Sequence, residues 1–363
     1  MKITRIRIER REIELDPPFL AAWDPNPRRS FEATLVVVET DEGVTGIGSG
    51  DTMDGFERYE DLFVGYDPLE TERHAAVLET IAFHAGRYWP LEAALWDLAG
   101  KAERKPVAQL LGGGKDRVPA YASTGDRRGP DERAESALAL REEGFKALKI
   151  RIDRTHVDTG VAAVTAVREA VGNTMGIMVD LNQGWRMPGD LSPALDRDAV
   201  RAVAERLRDL DVVWFEEPLP REDVEGYAAL RAEVGIRVAG GEMARTTAEL
   251  EAFEAADALD VYQPDAVLSV GLLRAREIAL RVLQKGRWFT PHTWTNGIGL
   301  LANLHVTAGV GGGPYIEFPY DPPGWTPERR DFMLAEPLRV DADGCLTVPV
   351  SPGLGFELPD APL

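Results

Sequence analysis

Six acidic or imidazole side chains recur along this chain at near-regular intervals: Asp180, Glu216, Glu242, Asp265, His292 and Glu317. The steps between them are 36, 26, 23, 27 and 25 residues, and each sits at or just past the end of a short apolar run. A strand and its returning helix together take about 30 residues. Such a ladder puts one polar group on each of six neighbouring strands, all at the same end. In a (β/α)₈ barrel that end carries the catalytic groups. The spacing therefore predicts a metal-dependent barrel enzyme.

The strand–helix rhythm begins only after Gly112-Gly113-Gly114. Eight candidate strands follow, Val118–Ala122, Ala147–Arg151, Ile177–Asp180, Val212–Glu216, Arg237–Ala239, Ala258–Tyr262, Trp288–Thr290 and Tyr315–Glu317, separated by amphipathic stretches such as 131–143, 157–171 and 271–285. Eight is the number that closes a parallel barrel. The first part reads differently. Residues 2–15 alternate apolar and charged, 33–39 form a second strand, and Asp41-Glu42-Gly43 turns into a hairpin partner at 44–48. Helical periodicity follows at 69–83 and 90–104. Residues 16–30 read as a long Pro-rich loop, and a loop of that length in a compact domain is usually functional or disordered. The expected architecture is an α/β chain in three parts: an α+β capping domain at 1–115, a modified (β/α)₈ barrel at 116–320, and a C-terminal segment at 321–363 returning to the cap.

Charge and cysteine usage exclude several classes. The 41 basic and 61 acidic residues of the 363 give a net charge of −20, and no basic stripe interleaved with aromatics occurs, so no nucleic-acid partner is expected. Cys345 is the only cysteine, which excludes an intrachain disulfide and a thiolate metal site. The first residues lack an apolar signal core, and no apolar run approaches the ~18 residues of a membrane helix. A cytoplasmic enzyme without membrane partners is expected.

Three segments carry the metal expectation: VDLNQGW (179–185), WFEEP (214–218) and AGGEMA (239–244). Their carboxylates Asp180, Glu216 and Glu242 are hard oxygen ligands suited to Mg²⁺ or Mn²⁺, with positions left open for a bidentate anionic substrate. Glu217, beside Glu216, points the other way on an extended chain and reads as a supporting or structural group. Lys149 and Arg151, two apart on one strand, share a face. Inside a barrel such cations need partners, and a bound carboxylate substrate beside the acidic cluster supplies one. Asp265 and His292, on consecutive strands, form a carboxylate–imidazole pair suited to proton abstraction. Glu317 could donate to a developing oxyanion if protonated. His74, His84, His156 and His305 lack comparable partners and receive no role.

Together these segments resemble the enolase superfamily, specifically its mandelate racemase subgroup, over essentially the whole chain. The resemblance implies that Asp180, Glu216 and Glu242 bind Mg²⁺, that Asp265 and His292 remove the proton alpha to the substrate carboxylate, and that Lys149 and Glu317 help stabilise the enediolate. It also implies that the loops at 16–30 and 49–55 close over the far end of the substrate; Trp23, Arg28 and Arg29 are candidate contacts there, and Asn182 is a further substrate-binding candidate. A homo-oligomer acting on a small carboxylate is expected. The muconate-lactonizing branch wants a lysine near the sixth strand, and none lies between 261 and 275.

One departure from the pattern is informative. Racemases of this kind carry lysine at both positions of the Lys-x-Lys pair, the second serving as a base on the opposite face, whereas Arg151 stands here. A guanidinium is effectively never deprotonated. The expectation is therefore dehydration of an acid sugar to a 2-keto-3-deoxy acid. Epimerisation of an α-hydroxy or amino acid with Lys149 as second base is the alternative. A metal-independent glycoside hydrolase using Glu216 and Glu242, or a non-catalytic binding protein, leaves more of the pattern unexplained.

Overall fold

A computed structural model describes residues 1–359. Three antiparallel strands open the chain: β1 (Ile3–Phe19), β2 (Arg28–Thr40) and β3 (Thr45–Ser49), in the order β1-β2-β3. The run Leu35-Val36-Val37-Val38 is apolar throughout because both faces are covered. Val36 and Val38 pack with Leu91, Ala94 and Leu98 of the cap helices, while Leu35 and Val37 join the main core. Helix α1 (Thr71–His84), helix α2 (Trp89–Glu103) and the short α3 (Val107–Leu110) follow. Helix α2 lies directly on β3, and this is why Gly46 and Gly48 stand there. A Cβ at either would come within 2.1 Å of Ala94 O or 2.2 Å of Pro90 O.

The expected 16–30 loop is mostly hairpin. Strand β1 continues to Phe19 and β2 starts at Arg28, these two residues being paired, so the loop shrinks to residues 20–27. Past Leu15 the alternation lapses at Asp16 and Pro17 and the register shifts, and Phe19 is then buried in an aromatic cluster with Trp23, Trp294 and Trp325. That packing carries the strand through its two prolines.

The barrel strands are β4 (Arg117–Ser123), β5 (Ala147–Arg151), β6 (Gly176–Asp180), β7 (Phe215–Glu216), β8 (Val238–Gly240), β9 (Val261–Tyr262), β10 (Trp288–Phe289) and β11 (Ile316–Pro319). They pair in parallel in the order β10-β9-β8-β7-β6-β5-β4-β11. Helices α4 (Pro130–Glu142), α5 (Val157–Val171), α6 (Arg197–Asp209), α7 (Val224–Val234), α8 (Thr247–Ala255), α9 (Leu272–Gln284) and α10 (Gly297–Val310) alternate with them. The expected modified barrel is found, and its ring closes irregularly. Between β10 and β11 no ladder forms among the described residues; an isolated antiparallel bridge, Phe289 with Gly313, and the bonds of Thr293 to Glu317 span the seam instead.

The tail closes onto the first sheet, past α11 (Pro327–Arg330) and β12 (Cys345–Thr347), the latter pairing antiparallel with β4. Phe332 packs on Phe31, and Leu354 N–H donates to Asp97 at 2.8 Å. Glu92 of α2 accepts from Leu272 N–H and Leu273 N–H at 3.0 and 2.9 Å, capping the N-terminus of α9 and joining cap to barrel.

Candidate metal and proton-transfer site

Strand periodicity of two fixes the site. Ala147, Met178, Trp214, Ala239 and Val261 form an apolar cluster inside the ring. Two residues further along β5, β6 and β7, on the same inward face, come Lys149, Asp180 and Glu216, all with 0% exposure. Asp180 pairs with Glu216 in the β6–β7 register, and Glu242 follows just past β8. One carboxylate oxygen from each of Asp180, Glu216 and Glu242 lies within 4.8 Å of the others.

Only some of this charge is compensated by the protein. Lys149 Nζ lies 2.5 Å from Glu216 Oε1, 2.7 Å from Glu317 Oε1 and 3.5 Å from Asp180 Oδ2. Arg151 Nη1 donates to Asp180 at 2.5 Å and to Asn182 Oδ1 at 2.7 Å. Trp214 Nε1 holds the second oxygen of Glu216 at 2.9 Å, and Trp185 Nε1 holds Glu242 Oε1 at 2.5 Å. Glu242 Oε2 is buried with no hydrogen-bond partner among the described residues. Burial raises the affinity of Glu216 and Glu242 for protons, and crowding by like charges adds to it. A buried all-oxygen set with an orphaned ligand atom and surplus negative charge fits a magnesium ion.

Glu217 departs from expectation. Its backbone is left-handed, with φ of 42°, so strand alternation ends there, and its side chain is buried beside the cluster instead of facing away. Burial, then the charges of Glu242, Asp180 and Glu216, push its carboxyl well up.

Across the ring, Asp265 and His292 form the expected pair. His292 Nδ1 lies 3.0 Å from Asp265 Oδ2. The other oxygen of Asp265 accepts from Val267 N–H at 2.8 Å, Leu268 N–H at 3.2 Å and Asn303 Nδ2 at 3.0 Å, which fixes the carboxylate and through it the imidazole. Burial works against a charged imidazole, but Glu242, Glu317 and Asp265 outweigh it and raise His292 to about 9. Its Nε2 is 3.9 Å from Glu242.

Glu317 is an acceptor rather than the protonated donor envisaged. Lys149 lies against it, and Ser123 Oγ–H and Thr293 N–H each donate at 2.7 Å. Burial alone would raise its carboxyl, yet Lys149, His292 and Arg151 hold it down at about 2.

The hairpin tip reaches the site. The Trp23 ring centroid lies 4.2 Å from the Arg151 guanidinium and 5.6 Å from that of Arg28. Arg28 is engaged by Asp24 at 3.0 Å. Arg29, on the opposite face of β2, is exposed and is not brought to the site. Four supporting side chains escaped the sequence reading: Trp185, Trp214, Ser123 and Asn303. Trp214 had a usable signal, since it precedes Glu216 by two residues on the same strand face.

Fold and site define a metal-dependent barrel enzyme under an α+β cap. Residues 26–112 match the family described as mandelate racemase / muconate lactonizing enzyme, N-terminal domain, and residues 132–361 match enolase C-terminal domain-like. The chain belongs to the enolase superfamily, in its mandelate racemase subgroup. It is 31% identical to D-galactarolactone cycloisomerase of Agrobacterium fabrum, over 99% of this chain and 97% of that one. It is 30% identical to arabinonate dehydratase of Saccharolobus solfataricus, over 74% of this chain and 69% of that one. A solved racemase from Streptomyces coelicolor A3(2) with bound magnesium superposes with a TM-score of 0.83 at 27% identity, covering 98% of this chain and 97% of that one.

Proposed function

We propose that this chain removes the proton alpha to a sugar-acid carboxylate and eliminates the β-hydroxyl as water, giving a 2-keto-3-deoxy acid. One observation carries the reading: Arg151, held between Asp180 and Asn182, stands on β5, across the mouth from His292 beyond β10. A guanidinium so placed binds anions but cannot take a proton. Inversion at the alpha carbon needs a base on each face, whereas elimination needs one.

When bound at Asp180, Glu216 and Glu242, Mg²⁺ supplies Lewis-acid stabilisation of the charge that develops on the substrate carboxylate. Lys149 presents an ammonium to the same oxygens. His292 Nε2 takes the alpha proton while Asp265 holds the imidazole in the tautomer that exposes Nε2. The C–H electron pair becomes the new double bond, the β C–O bond breaks, the departing hydroxide takes back the proton now on His292 in a syn elimination and leaves as water, and the enol tautomerises to the ketone. Trp23, Arg28 and Asn182 line the path toward the distal end of the substrate.

A second reading shares every step but the fate of the leaving oxygen. In a lactone or anhydro ring that oxygen stays attached, and the product is an isomer. The relative matched over 99% of this chain is named a cycloisomerase, which favours this variant. Incubating the Mg²⁺-loaded protein with C5 and C6 sugar acids and their lactones, and reading the product by mass spectrometry, separates the two. Dehydration lowers the mass by one water, while ring opening leaves it unchanged. Deuterium incorporation with inversion and no mass loss would refute both.

A further inference from the structure

A cavity of about 280 Å³ opens under the hairpin tip, lined among others by Trp23, Asp153, Arg154, Asn182, Asp190 and Ser192. It begins one hydrogen bond from the metal triad, because Asn182 N–H donates to Asp180 Oδ1 at 2.7 Å. Asn182 is 7% exposed and strained, with φ of 46°; its Oδ1 is occupied by Arg151, and its Nδ2 has no partner among the described residues. A buried amide donor left open on the wall of a cavity calls for an acceptor from a ligand. The Nε of Arg154 is a second such buried donor.

The cations of this cavity are already neutralised. Arg127 lies 3.2 Å from Asp153, and Arg154 is bonded to Asp190, so the ionised groups of the lining cancel in pairs. A neighbouring cavity at the cap–barrel boundary is no more cationic. Its lining carries Glu32, Asp51 and Asp54, and its Arg10 is paired with Asp54. A second carboxylate entering this cavity would be desolvated with both cations of its lining already paired. A hydroxyl needs only the donors and acceptors present, and the Trp23 ring can cover the C–H faces of a sugar chain.

We infer that the substrate is a monocarboxylic polyhydroxy acid, whose carboxylate meets the metal triad and whose uncharged hydroxylated tail occupies the cavity under Trp23. The inference rests on the sugar-acid reading above and narrows it to aldonates over aldarates. It also makes the Arg127–Asp153 and Arg154–Asp190 pairs specificity determinants that exclude diacids.

Matched pairs that differ only at the last carbon test it: galactonate against galactarate, and arabinonate against arabinarate. Binding of each to Mg²⁺-loaded His292→Asn protein by calorimetry reads recognition without turnover. The aldonate of at least one pair should bind tenfold or more tightly than its aldarate. The double variant Asp153→Asn/Asp190→Asn frees both arginines and should shift that ratio toward the diacid by at least tenfold; Asp190→Asn alone gives a smaller shift of the same sign and serves if the double variant does not fold. Equal or tighter binding of the aldarates, no binding of any pair, or an unchanged ratio in the variants overturns the proposal. A clear aldonate preference in binding with no elimination product from wild type instead overturns the proposed reaction and leaves the tail site standing.

Discussion

Two layers of side chains share the inside of the barrel, offset by two residues on the same strands, and they obey opposite rules. The lower layer, Ala147, Met178, Trp214, Ala239 and Val261, is packed hydrocarbon and indole. The upper layer, Lys149, Asp180, Glu216 and Glu317, is fully buried charge. Both face inward because strand periodicity gives them no choice. The lower layer stabilises the ring through burial and close contact. The upper layer works against folding, since burial pushes up the carboxyls of Glu216, Glu217 and Glu242 and leaves a ligand oxygen unpartnered. Stability resides in one layer and the proposed chemistry in the other, two residues apart along each strand.

Substitutions should separate along that line. The largest effect is expected from His292→Asn, which removes the proposed base but keeps the shape. Turnover should fall by about 10³-fold or more, given what general bases contribute, while Mg²⁺ binding is retained; retained activity would remove His292 from the role. In the lower layer, Met178→Ala should cost about 2–5 kcal/mol in denaturant unfolding, with the metal affinity of the folded protein little changed. A selective loss of metal binding there would mean the layers are mechanically coupled. Glu242→Gln should do the reverse. Metal affinity should drop by on the order of 10–100-fold, as for other losses of ligand support, while the metal-free protein melts at the same temperature or higher because a buried charge is gone.

The layered arrangement explains what was legible in the sequence. Ligands at strand ends leave a trace because a barrel repeats: Asp180, Glu216 and Glu242 stand out by position and by the Asn, Glu-Pro and Gly that flank them. The Asp265–His292 pair was readable for the same reason. What escaped was whatever breaks the repeat. Alternation sets Glu217 apart from Glu216, but a left-handed backbone ends the strand there and its carboxyl is buried. The β10–β11 seam has no ladder among the described residues and is spanned by bonds from Thr293 N–H and Oγ1 to Glu317, which no strand spacing announces. The 16–30 segment was read as loop because proline argues against a strand, and only the aromatic cluster around Phe19, drawn from residues more than 270 apart in sequence, keeps it extended. Asn303, which steadies Asp265 from α10, carries no signal in the chain at all.

The smallest effect lies in the pH dependence of stability, where the two regions should again differ in sign. His292, in the charged layer, is raised to about 9 in the folded chain. Its ordinary value is about 6.5, so it contributes stability that is complete below pH 6.5 and lost as pH rises toward 9. His305, on α10, lies in the opposite situation. It accepts from Ala108 N–H and donates to Leu354 O in a fully buried setting, and burial lowers it to about 4. It must stay neutral, so its contribution is complete above pH 6.5 and lost as pH falls toward 4. Metal-free protein should therefore show two limbs around a maximum near pH 6.5, each on the order of 1–3 kcal/mol once relaxation is allowed for. Thermal melts of wild type, His292→Asn and His305→Gln across pH 4–9 resolve them, with each variant losing one limb only. Saturating Mg²⁺ should flatten the alkaline limb alone, because a cation at Glu242 cancels the charge that raises His292 and leaves His305 untouched. If Mg²⁺ instead moves both limbs equally, the metal acts on the barrel as a whole and the separation between the layers fails.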